Sequence, residues 1–217
     1  MTDRTSEVVT AGEVTIETYV DGSGPDVVLL PSYGRDGGDD FDPLTAALAD
    51  AGFRVLRPQP RGIAQSAGPM TGVTLDEQGD DIARVLDELG RGPAVILGHA
   101  YGNFIARVLA TNHPGKVAAV ILAAASGRTV TPEVNAAPLR AGDPGLSDEE
   151  RLAALRLAFF APGHDPSAWL AGWYPQTLAM QHASVTTAGT ALKRYWAAGA
   201  APVLEIIAAL DPFHQRN

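Results

Sequence analysis

The sequence predicts a single α/β domain, a mostly parallel central sheet with helices on both faces, carrying an inserted helical cap. Three observations predict it. Nearly continuous apolar runs at residues 26–32 and 94–97 carry the mark of buried strands, the first on both faces, and residues 116–124 read as a further strand. Segments with apolar residues at helical spacing lie between those runs, which is the order that builds a parallel sheet with short crossovers. After Ser126 the alternation stops, and only helical segments follow until about residue 201.

Along the chain, residues 14–20 alternate branched and polar side chains and meet Asp21-Gly22-Ser23-Gly24, which reads as a strand and a hairpin-type turn. Residues 41–51 read as a helix ended by Gly52 at the C′ position, and 53–57 return to strand. Thr74 with Glu77 three residues on has the pattern of a capping box, and Leu75, Ile82, Val85, Leu86 and Leu89 form the apolar face behind it. Residues 103–111 read as the next helix. Residues 129–146, rich in Pro, Gly and polar side chains, read as a loop. Ser147 caps a helix whose first turn holds Glu149 and Glu150. Helical pieces are expected at 166–173, 177–182 and 186–197, and a strand at 203–210. These expectations divide the chain into a core over 1–128, a cap over 129–200, and a return to the core over 201–217.

Composition narrows the function classes. Hydrophobic residues make up 46% and charged residues 19%, a globular balance. Lys and Arg number 16 against 25 Asp and Glu, for a net charge of −9, which argues against nucleic acid or an anionic membrane as a partner. With no cysteine, thiol nucleophiles, disulfides and Cys-based zinc sites are excluded. No secretory signal is visible at the N-terminus, and the longest apolar run is too short to span a bilayer, so a cytoplasmic location is expected. No Gly-rich phosphate loop occurs, so no nucleotide cofactor is expected. Asp36, Asp39, Asp40 and Asp42 match no EF-hand spacing. They read as an acidic helix start, with Asp42-Pro43 resembling an N-cap followed by proline, and no metal is expected.

The chemistry concentrates at Gly98-His99-Ala100-Tyr101-Gly102, between a buried strand and a helix. This is the setting of a G-x-S-x-G turn, whose outer glycines are needed because side chains there would strike the neighbouring strand and helix. Upstream, a strand ends at Ser32-Tyr33-Gly34. Next comes Arg61-Gly62 with Ser66 four residues on, and downstream a strand ends at Asp211-Pro212. In this order the segments resemble the α/β-hydrolase fold superfamily over most of residues 14–212. The resemblance implies a nucleophile at position 100, an acid at Asp211, and oxyanion donors at the backbone N–H groups of Tyr101 and Tyr33.

Two departures follow. Ala100 has no hydroxyl or carboxylate, so neither the serine route nor the aspartate route of the superfamily can run through it. The alanine is an engineered change, or natural in a lineage that binds or reacts differently, or a sign that another group does the chemistry. The longer motif Gly-His-Ala-Tyr-Gly-Asn resembles a branch in which alanine is natural, and that favours the second account. The triad histidine normally follows one further strand, and the chain ends at Asn217 without room for it. His214 is a poor substitute, and His99 is expected to be a structural or lining residue. A longer parent chain, or a second copy covering an exposed strand at 203–210, accounts for the gap; the second makes a homo-oligomer.

Ser32 is expected to hydrogen-bond its loop backbone or to line the site. Phe159, Phe160, Trp169, Trp173 and Tyr174 stand in the expected cap and suggest an apolar ligand, though a small helical core would use the same residues. The functional expectation is a hydrolase lineage acting on a small apolar ester, lactone or amide, inactive by the serine mechanism as it stands. The alternative is a non-serine member, or a pseudoenzyme that binds such a ligand.

Overall fold

The computed structural model describes residues 4–127 and 130–214. Strands β1 (Thr5–Ala11) and β2 (Val14–Gly22) form an antiparallel hairpin, with Val9 opposite Ile16. Strands β3 (Asp26–Leu30), β4 (Arg54–Pro58), β5 (Ala94–His99), β6 (Val117–Ala123) and β7 (Val203–Ile206) run parallel to one another. The sheet order is β1-β2-β4-β3-β5-β6-β7, with β2 antiparallel to β4. Every residue of β3 and β4 is buried, as strands covered on both faces must be.

Helix α1 (Asp42–Asp50) covers one face, where Val27, Leu29, Val55 and Leu97 pack with Phe41 and Leu48. Helices α2 (Leu75–Glu88) and α3 (Gly102–Asn112) cover the other, burying Val28, Leu30, Leu56 and Ile96 against Ile82, Ile105 and Leu109. The capping box at Thr74 is complete: Glu77 N–H donates to Thr74 Oγ1 at 3.2 Å, and Thr74 N–H donates to Glu77 Oε2 at 2.8 Å. Helices α4 (Pro132–Ala141), α5 (Asp148–Ala158) and α6 (Pro175–Ala188) lie between β6 and β7, and α5 starts in a second capping box, at Ser147 and Glu150.

The structure corrects several expectations. Asp21–Gly24 forms no hairpin: it joins β2 to β3, and β4 lies between those two strands. The hairpin turns instead at Gly12, whose φ of +62° suits glycine. Most of the stretch expected as a loop at 129–146 is α4, capped where Thr131 Oγ1 accepts from Val134 N–H at 3.3 Å. Thr129 itself, and with it the expected core–cap boundary, lies outside the described residues. The break expected between 182 and 186 is absent, since α6 runs through it to Ala188, and most of the expected piece at 186–197 is a 3-10 turn over Gly189–Arg194. Asp42 is not an N-cap. It is the first residue of α1, and its carboxylate accepts from buried Arg57 at 2.6 Å.

Strand β7 is shorter than expected and lies at the sheet's end, with Leu204 and Ile206 57% and 51% exposed. An uncovered apolar edge strand is a template for association. The 217-residue chain is expected to gain apparent mass in light scattering as its concentration rises, and Ile206→Lys to reduce that gain. A concentration-independent monomer mass would contradict the expectation.

Candidate active site

At the end of β5 the chain turns sharply into α3, and Ala100 takes φ +47° to make the turn. That left-handed conformation costs a non-glycine residue about 1–2 kcal/mol, so other contacts must hold it. Ala100 N–H donates to the Ala123 carbonyl at 3.0 Å. Asn103, at the start of α3, donates from Nδ2 to the carbonyls of Ala100 and Ala123 at 2.8 and 3.0 Å. Each such bond contributes about 1 kcal/mol net, enough together to offset the strain. The glycines carry the tightness. A Cβ on Gly98 would lie 2.4 Å from the Gly102 carbonyl oxygen, and one on Gly102 would lie 2.3 Å from the Leu30 carbonyl oxygen.

Tyr33 stands after β3, the strand beside β5, and its ring meets the Tyr101 ring at a centroid distance of 4.6 Å. Tyr101 is buried and its hydroxyl donates to Gln78 Oε1 at 2.7 Å. Burial pushes both phenols well above the ordinary tyrosine range, so they stay neutral. The backbone N–H groups of Tyr33 and Tyr101 have no acceptor among the described residues. Gly34 N–H is taken by Gln181 Oε1 of α6 at 2.7 Å, which ties this loop to the helices between β6 and β7.

Arg35 makes the second tie. It pairs with Asp40 through two hydrogen bonds of 3.0 and 3.1 Å, donates to the Ala171 carbonyl at 2.6 Å, and stacks on Trp169 at 4.5 Å and Trp173 at 5.5 Å. Phe159 lies 5.5 Å from Trp169 and 6.0 Å from Trp173, and Phe160 lies 5.4 Å from Trp169. The structure therefore brings these four aromatics into one cluster, which also touches Phe213. Tyr174 stands beside it, with its N–H on the Gly34 carbonyl at 2.9 Å and its hydroxyl on Asp36 at 3.3 Å. Trp196 is elsewhere, over Arg107.

Asp211 follows β7, half-buried, with Oδ1 accepting the Phe213 N–H at 2.8 Å. His214 does not reach that carboxylate. Its Nδ1 lies 3.4 Å from the Ala125 carbonyl. His99 ends β5 with its ring edge-on to Phe41 at 6.2 Å. Burial holds its pKa below the ordinary histidine range, while Asp40 and Asp211 pull the other way. The hydrogen bond expected from the Ser32 side chain to its loop backbone is absent among the described residues. Ser32 Oγ is buried, and only the Ser32 carbonyl serves the loop, accepting Arg35 N–H at 3.3 Å. The acidic run is divided among partners as well, with Asp36 on Gly38 N–H, Asp40 on Arg35 and Asp42 on Arg57. Among the described residues no cluster of His, Asp or Glu can hold a metal ion. A cavity of about 40 Å³ lies beneath Tyr101, lined by Leu30, Pro31, Gln59, Gln78 and Gln181, and Ala100 does not line it.

A family model described as the alpha/beta hydrolase fold matches residues 25–214. The chain belongs to the α/β-hydrolase fold family. Among curated relatives of this α/β hydrolase, a 2-(acetamidomethylene)succinate hydrolase of Mesorhizobium japonicum is 30% identical over 54% of this chain and 41% of its own length. A pimeloyl acyl-carrier-protein methyl ester esterase of Aromatoleum aromaticum is 36% identical over 67% of this chain and 53% of its own length. The chain thus spans about half the length of these relatives or less. The crystal structure of an enol-lactonase from Burkholderia xenovorans superposes with a TM-score of 0.74 at 24% identity, covering 94% of this chain and 81% of that one.

Sequence reasoning missed Arg35, Asn103 and Gln181. Asn103 left a readable signal, since asparagine in a helix's first turn bonds back to nearby backbone. Gln181 left none, and neither did the contacts of Arg35 with Ala171, Trp169 and Trp173, because those partners lie far along the chain.

Proposed function

We propose that Ala100 marks the floor of a site that binds the carbonyl group of a small apolar ester, lactone or amide, and that this chain forms no serine acyl-enzyme. The observation that carries the reading is the left-handed Ala100 at the strand–helix turn, flanked by the N–H groups of Tyr33 and Tyr101, which have no protein acceptor among the described residues. Two donors without a protein acceptor, one of them at a helix start, suit a polarised carbonyl oxygen. Ser32, His99, Phe159, Phe160, Trp169, Trp173 and Tyr174 are proposed as walls, and Asp211 as the site's acid. The similarity to an esterase and a hydrolase supports a carbonyl substrate. No described helix is long and apolar enough to cross a membrane, and a cytoplasmic site of action is part of the proposal.

Calorimetry with hexanamide tests the reading. Ala100→Phe is expected to weaken binding at least about tenfold, equivalent to about 1.4 kcal/mol, by filling the site while circular dichroism stays unchanged. Incubation with a fluorophosphonate is expected to leave the intact mass unaltered. Undiminished binding by Ala100→Phe, or a covalent adduct on the natural chain, counts against it.

A further inference from the structure

The loop after β3 is pinned peptide by peptide, and two of the pins come from the helical segment between β6 and β7. The peptide joining Ser32 to Tyr33 carries the Ser32 carbonyl at one end and the Tyr33 N–H at the other, and the two point in opposite directions because the bond is trans. The Ser32 carbonyl accepts Arg35 N–H at 3.3 Å, so the Tyr33 N–H is turned away from Arg35. In the next two peptides, Gly34 N–H donates to Gln181 Oε1 at 2.7 Å, and the Gly34 carbonyl accepts Tyr174 N–H at 2.9 Å. Tyr174 immediately precedes α6, and Gln181 stands in its second turn. The helix sits directly on the loop: a Cβ on Gly34, whose φ is +57°, would lie 2.8 Å from Leu178 Cβ.

Gln181 is 1% exposed. A buried amide costs stability unless it is paired, and an apolar side chain would fill the same volume without that cost. The pairing Gln181 makes reaches 147 residues back along the chain, to the backbone of the loop that carries Tyr33. We propose that Gln181 is a positioning residue for the Ala100 site: it locks the peptide between Tyr33 and Gly34, and so holds the Tyr33 N–H in the orientation that meets a bound carbonyl oxygen. This rests on the reading of the Ala100 site as a carbonyl-binding site. Gln181 does not touch the ligand; it acts through Gly34. Without the acceptor oxygen the peptide is free to rotate, and the Tyr33 N–H spends part of its time turned elsewhere. Apparent affinity then falls by the fraction of molecules that remain competent. The cap helix thereby sets how strongly the ligand carbonyl is polarised.

The test uses hexanamide in calorimetry and γ-caprolactone in infrared difference spectroscopy. The lactone carbonyl stretch lies clear of the protein's amide bands and falls as the carbonyl is polarised. Gln181→Leu is expected to weaken hexanamide binding about fivefold or more, the worth of one hydrogen bond, and to raise the stretch of the bound lactone above its value on the natural chain. Gln181→Glu keeps an acceptor oxygen at the same reach and is expected to retain both values. Ser147→Ala removes the cap of α5 and lowers stability without touching the loop, and is expected to leave both values unchanged. An unchanged stretch in a folded Gln181→Leu overturns the proposal. So does a Gln181→Glu that behaves like Gln181→Leu, or an equal rise in Ser147→Ala. Amide hydrogen exchange on the unmodified chain decides even where Gln181→Leu does not fold. Gly34 N–H is expected to be protected without ligand, and Tyr33 N–H to gain protection when hexanamide is added; rapid exchange at Gly34 overturns the proposal by itself. Ligand binding by the natural chain with none of these responses removes this inference and leaves the carbonyl-binding reading intact. No binding of either ligand by the natural chain removes both.

Discussion

Gly102→Ala is expected to cost about 4–5 kcal/mol, close to the whole stability of a marginal domain. The added Cβ would lie 2.3 Å from the Leu30 carbonyl oxygen, 2.8 Å from its carbon and 2.9 Å from its Cβ. Two of these atoms are backbone of β3, a central strand whose Leu30 pairs with Gly98 of β5. The strand cannot retreat without opening the ladder that positions Ala100, so relief by a side-chain swing is not on offer. Gly98→Ala meets the Gly102 carbonyl and the Asn103 nitrogen at 2.4 and 2.6 Å and is expected to behave alike. Gly115→Ala is the control: a Cβ there meets nothing within 4 Å, and stability is expected to stay within about 0.5 kcal/mol. Urea unfolding midpoints decide. A Gly102→Ala loss no larger than the control's would mean that the turn is looser than its contacts show.

These glycines also show why part of the site was legible in the sequence. Two glycines framing one residue between an apolar run and a helix report a close backbone approach, which is local and needs no knowledge of distant partners. The same holds for β3 and β5, whose continuous apolar runs reflect burial on both faces, and for the capping boxes at Thr74 and Ser147. Strand β1 was missed because most of its residues face solvent and leave no alternation to read. Helix α4 was hidden by Pro138 inside it and by the Pro- and Gly-rich residues around it, although Thr131-Pro132 is a recognisable helix start. Helix α6 was split because buried Thr177, Gln181 and Ser184 blur its apolar face. Those polar residues are inside because they serve partners elsewhere: Gly34 N–H for Gln181, Gln78 for Ser184 and the Arg61 carbonyl for Thr177. Pairings between residues so far apart leave no periodic trace.

The pairing with the largest expected energy lies behind the Ala100 turn. Arg61 donates to both oxygens of Asp81, at 2.7 and 3.0 Å, with both side chains 4% exposed, and also reaches the Pro69 carbonyl at 3.2 Å. It thereby ties the loop after β4 to α2. Burial raises the Asp81 carboxyl above the usual aspartate value, with Arg61 and the more exposed Arg84 pulling it down. Arg61→Met keeps the bulk and removes the charge, leaving a buried carboxylate with only Arg84 beside it. The expected cost at neutral pH is about 3 kcal/mol, at the lower end for breaking a buried pair because Arg84 remains. The sign of the pH dependence follows from the direction of the shift. A carboxyl whose folded pKa lies above its unfolded one is favoured in the protonated form by folding. The stability linked to it is full below the unfolded value and is lost as pH rises through the folded value. Removing Arg61 raises the folded value further, so the variant's deficit should shrink on mild acidification as Asp81 takes up a proton. Unfolding curves of both proteins at neutral and mildly acidic pH measure it. A deficit that grows on acidification would mean that losing Arg61 lowers the Asp81 pKa instead of raising it, which contradicts the pairing.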